Sequence, residues 1–208
     1  MNTTQADQLE EKAWKGPLAP ADVQRLAELL DDPRCSRKLV TLLKAAGLGR
    51  ALTLQSRVER FLSPSYSPTV FAMALGTLTA YWGMEREYRD IILAAVRGHP
   101  WDVDRDVQRR GLIAAGNLLA KQPDSELLEA VIHVTELQET DAEEDIPIPG
   151  TKRLALQTLD RVVTPGWHEL SHLQRHQTLG EAEASSVLGR AKRLLAEQGW
   201  SRGVLKKG

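Results

Sequence analysis

Three six-residue stretches of this chain are written to one pattern: MALGTL at 73–78, IAAGNL at 113–118 and LALQTL at 154–159. Each runs apolar, Ala, apolar or Ala, Gly or Gln, Thr or Asn, Leu, and their first residues fall 40 and 41 positions apart. A repeat of that length is too long for a coiled-coil heptad and suits a pair of helices with their turns. Small side chains at Ala74, Ala114 and Ala155 let one helix lie close to its neighbour, and Leu78, Leu118 and Leu159 fill the space between layers. A lone helical hairpin leaves apolar surface exposed, so units of this kind stack, each presenting the same small and large residues to the next.

The rest of the chain reads as helix around this core. APADVQRLAELLDD places Val23, Leu26, Leu29 and Leu30 at helical spacing, with Asp22 near the start and Pro33 beyond the end. CSRKLVTLLKAAGLG follows, with Gly47 expected as its stop, and then LTLQSRVERFL up to Ser63-Pro64. Pro68 begins the first repeated helix and Gly83 closes it; its partner EREYRDIILAAVRG ends at Gly98. DVQRRGLIAAGNLLAKQP and DSELLEAVIHVTELQET form the next pair, with Asp124 as the expected N-cap, and Ile92 and Ile132 again 40 apart. GTKRLALQTLDRVV opens a third unit, interrupted at Pro165-Gly166, and GEAEASSVLGRAKRLLAEQG makes a last helix. No segment keeps the period-2 alternation of a half-buried strand. The expected organisation is a polar leader over 1–18, one helical domain over 19–200 and a tail over 201–208. Within the domain, capping helices span 19–63, repeats span 66–176 and a C-terminal helix spans 180–198.

Residues 66–176 resemble HEAT repeats, which implies an all-α fold, a right-handed α-α superhelix (solenoid) of helical hairpins. The chain departs from that family in lacking a regular Pro in each first helix and a consistent Asp-x-x-Val-Arg stretch, to which DRDVQRR at 104–110 comes nearest. An irregular helical bundle is the competing arrangement, since Ala-x-x-x-Leu spacing arises wherever helices pack.

Composition narrows the function. A formal net charge of −1 lacks the basic excess by which a general DNA or RNA binder displaces counterions, so nucleic acid is disfavoured as the main partner. The single cysteine, Cys35, cannot close an intrachain disulfide. MNTTQADQLEEKAWKG has neither the basic start nor the apolar run of a signal peptide, and no stretch reaches the roughly 18 apolar residues of a membrane span. The expectation is a cytoplasmic protein with no membrane association.

Several constellations are candidates for chemistry. HELSH at 168–172 matches the His-Glu-x-x-His pattern of zinc peptidases: on a helix His168 and His172 share a face as metal ligands, Glu169 stands as general base toward a zinc-bound water, and His176 extends the row. Without strands to line a cleft, and with only Glu181 or Glu183 as an improvised third ligand, a solvated histidine face is the plainer expectation. Deoxyhypusine hydroxylase, an iron enzyme of HEAT-like repeats, uses several His-Glu pairs; this chain has one. HEAT-like DNA glycosylases direct attention to GHPWDVDRDVQRR, where Trp101, Asp104 and Arg109 supply an aromatic, a carboxylate and a cation. The plainer expectation there is Trp101 as a packing residue at a turn and Asp102 or Asp104 as a helix cap. Cys35 lies between Arg34 and Arg37, which favour a thiolate, yet a lone Cys near Leu39 is expected to be a small packing side chain.

The remaining signal is a surface. Glu129, His133, Glu136 and Thr140 recur at i, i+4, i+7 and i+11 on one polar helical face, and Asp141, Glu143, Glu144 and Asp145 continue the negative charge into the following loop. Such a strip, with Trp101, suits a protein partner with a basic surface. Small bacterial solenoids without a catalytic set include immunity proteins that neutralise a toxin, and an acidic groove would suit a basic, nuclease-like one. A non-enzymatic protein-binding scaffold is thus the first reading, a zinc-dependent hydrolase and a glycosylase-like nucleic-acid binder the alternatives.

Overall fold

The computed structural model describes residues 5–137, 150–164 and 179–197. Among them every regular element is helical and no strand occurs, so the chain is all-α. It divides into two compact units, Met1–Tyr88 with Pro100–Arg110, and Arg89–His99 with Gly111–Gly208.

In the first unit, helix α3 (Leu39–Leu48) is the centre. Helices α1 (Gln5–Lys15), α2 (Pro20–Asp31) and α5 (Pro68–Gly76) pack on it. Leu42, Leu43, Ala45 and Ala46 of α3 are fully buried. Within the expected polar leader over 1–18, Gln5–Lys15 form helix α1. Ala6, Leu9 and Ala13 make a narrow buried stripe in a mostly polar helix. Gly47 is likewise not a stop. It lies inside α3, buried, where an added Cβ would sit 2.5 Å from the Tyr81 ring, and the helix instead ends at Leu48. The expected helix after it is broken into a 3₁₀ turn, Leu52–Leu54, and the short α4 (Gln55–Glu59).

Helix α5 starts with Pro68 in the first turn, as its sequence predicts, and the structure adds the Ser67 hydroxyl, which accepts from the Val70 N–H. It widens into a π turn over Thr77–Tyr81. There the Thr77 and Thr79 hydroxyls donate back to the Met73 and Leu75 carbonyls at 2.9 and 2.7 Å, an alternative partner that loosens the regular ladder.

The second unit contains α6 (Arg89–Arg97), the greater part of α7 (Asp106–Leu119), α8 (Ser125–Glu136), α9 (Gly150–Val163) and α10 (Glu181–Glu197). Helix α8 packs against both α6 and α10, and α9 against both α8 and α10. Ile92 and Ile132, 40 apart in sequence, are buried in α6 and α8. Gly98, at φ +85°, closes α6 in a conformation that side chains resist.

These packings explain the recurring hexamer. Its second and sixth residues, Ala74, Ala114 and Ala155 with Leu78, Leu118 and Leu159, are all buried to 2 % exposure or less. Its fifth residue, where it is Thr, reaches an earlier helix: the Thr77 hydroxyl shares its one proton between the Met73 carbonyl and the Leu43 carbonyl at 3.0 Å, and Thr158 donates to the Leu112 carbonyl at 3.1 Å. Its fourth residue, where it is Gly, makes room for a later one. A Cβ on Gly76 would lie 2.9 Å from Arg110 Nε, and one on Gly116 would lie 3.3 Å from Thr158 Cγ2. Within each unit the hexamer therefore contacts another helix, through a hydroxyl where its fifth residue is Thr and through a missing side chain where its fourth is Gly.

Candidate functional site

The site lies in the second unit, on α8. Asp124 caps this helix by accepting from the Leu127 N–H at 3.0 Å. It also takes two hydrogen bonds from Arg89, at 2.7 and 2.9 Å, that tie α6 to the α8 start. Burial pushes the Asp124 carboxyl upward, but the Arg89 guanidinium and the Leu127 N–H outweigh it and hold the group below the usual carboxylate range.

Downstream the helix turns Leu127, Leu128, Val131 and Val134 inward, so Glu129, His133 and Glu136 emerge together on the exposed side as their spacing predicts. They line a groove of about 900 Å³ between α8 and α10, with Arg97, Glu126 and Lys192 as its other charged residues. Ala130, Leu137, Leu195 and Ala196 supply apolar surface.

The groove is of mixed charge rather than uniformly acidic. Glu126 receives hydrogen bonds from Arg89 at 2.8 Å and Arg97 at 2.9 Å, and Lys192 pairs with Glu136 at 2.6 Å. Hydrogen bonds from these cations lower the pKa of both carboxyls. Glu129 forms no ion pair among the described residues. Thr140 and the remaining acidic residues expected here, Asp141, Glu143, Glu144 and Asp145, lie outside the described residues. Sequence reading missed Arg97, Lys192 and Leu195, which reach the groove from α6 and α10 and carry no local signal of it.

The other candidates are placed separately. Trp101 is half-buried, its ring 5.4 Å from that of Phe71, which is a packing role. Asp102 is the cap expected nearby: its carboxylate accepts from the Gln108 N–H at 2.9 Å in the first turn of α7. Asp104 is exposed, and Arg109 pairs with Asp106 at 2.6 Å. Cys35 sits half-exposed in the 3₁₀ turn Pro33–Lys38. His168, Glu169, His172 and His176 lie outside the described residues. Glu183, considered as a third zinc ligand, accepts from the Gly180 N–H at 3.0 Å and so helps to cap α10. Among the described residues no three His, Cys, Asp or Glu side chains gather to hold a metal ion. No described helix is long and apolar enough to cross a membrane.

Comparison with protein-family models, curated proteins and solved structures finds no match to this chain.

Proposed function

We propose that the chain is a non-enzymatic scaffold of HEAT-like helical hairpins that binds another protein along α8 and α10. The observation that carries this reading is the groove: an apolar strip bordered by charged side chains, on helices whose buried faces are already committed to packing. That anatomy, apolar centre and polar rim, is what a protein interface offers. Glu129, the groove carboxylate that has no ion pair among the described residues, favours a partner that brings a cation there. An immunity protein facing a basic toxin is the narrower proposal, and it rests on analogy of fold and charge.

The test is co-purification with the product of the adjacent gene, using wild type and a Leu195→Asp variant that places a charge in the groove. Wild type retains the partner and protects cells from it, while Leu195→Asp does neither. Equal retention by both proteins would remove the groove from the proposal. One zinc per untagged chain, lost on His172→Ala, would overturn the non-enzymatic reading.

A further inference from the structure

Resting on the scaffold reading above, we infer that the groove receives an amphipathic helix of the partner, with a lysine or arginine of that helix set against Glu129. The argument begins with the groove's charges. Glu126 is already bonded to Arg89 and Arg97, and Glu136 to Lys192, so the carboxylates at the two ends are paired from within. Between them Glu129 is exposed and without an ion pair among the described residues. A partner cation in the middle of the groove therefore finds an uncompensated carboxylate, whereas an anion meets repulsion.

The form of the occupant follows from backbone chemistry. Both walls are helices, whose interior N–H and C=O groups are bonded within the helix, and no described strand offers an open edge. An extended peptide laid on Ala130, Leu137, Leu195 and Ala196 would find only the end carbonyls of α8 and α10 as backbone acceptors and would leave most of its own backbone groups unpaired, at about 1–3 kcal/mol for each. A helix brings its backbone already satisfied and presents only side chains, the mode in which apolar residues at i, i+3, i+4 and i+7 enter a groove. The length agrees. Glu126 and Glu136 are ten residues apart on α8, roughly 15 Å at about 1.5 Å per residue, which matches close to three turns of an opposing helix. The two alanines in the strip allow that helix to approach closely.

The experiment selects a displayed library of single-helix and extended peptides, randomised on all faces, against the immobilised full chain. Wild type, Glu129→Lys and Leu195→Asp are then compared by fluorescence anisotropy with the peptides recovered. Glu129 is exposed, so an unchanged thermal melt certifies that its variant is folded. The expected winners are helical and carry a central Lys or Arg. They bind Glu129→Lys at least about tenfold more weakly, and recover when that peptide cation is exchanged for Glu. Winners that are extended or acidic but still depend on Leu195 would overturn this inference and leave the scaffold reading intact, as would cationic helices indifferent to Glu129→Lys. A selection in which no winner loses binding on Leu195→Asp would sink both.

Discussion

Alanine substitution at two helical glycines separates a close helix approach from simple helix propensity. Replacing Gly by Ala inside a helix gains about 1 kcal/mol from propensity at either position. At Gly189 in α10 an added Cβ meets no atom of the described residues within 4 Å, so Gly189→Ala is expected to keep the whole gain. For a chain of this size that corresponds to a rise in Tm of about 2–4 °C. At Gly111 in α7 the same atom would lie 2.7 Å from the Ala95 Cβ and 3.0 Å from the Val96 nitrogen. Normal separation is about 3.5–4.0 Å, and the obstacle is the body of α6 rather than the end of a mobile side chain. Forcing α6 aside costs about 1–3 kcal/mol, so Gly111→Ala ends between no change and a loss of about 2 kcal/mol. The two variants thus differ by about 1–3 kcal/mol although their chemistry is identical. Urea unfolding followed by circular dichroism measures both. If Gly111→Ala were stabilised as much as Gly189→Ala at equal m-value, α6 and α7 would not meet as described.

Two further outcomes follow from the same packing. Leu159→Ala, at a fully buried hexamer position, is expected to cost about 2–5 kcal/mol in urea unfolding, and a loss below about 1 kcal/mol would contradict its place in the core. Asp124→Asn is expected to lower stability at neutral pH and to flatten the acid limb of the stability curve. The wild-type carboxyl is held below its unfolded value of about 4, so its contribution is complete above that pH and is lost as pH falls through the lower, folded value. Parallel acid limbs for wild type and variant would show that the Arg89 pairing contributes nothing.

Much of the fold is legible in the chain because its determinants are local. The helical class follows from spacing, and Pro68, Gly98 and Asp124 mark ends through backbone geometry and hydrogen bonds that reach only a few residues. The face shared by Glu129, His133 and Glu136 is equally local, being set by the turn of one helix. The hexamers state that a helix docks there, and their Ala and Leu positions state which side is buried.

What the sequence could not supply is whatever depends on a second helix. Helix α1 lies in a mostly polar stretch, and only α3 packed on it makes its stripe of Ala6, Leu9 and Ala13 a core. Gly47 has the composition of a stop, and the Tyr81 ring above it makes it a contact instead. The acidic strip became a groove of mixed charge because Arg97 and Lys192 arrive from α6 and α10. Helix periodicity is written in steps of three and four residues, so it determined which face of α8 is polar. Ion pairing depends on distance in space, and only the packing of three helices decided which of those charges are spent and that Glu129 is left over.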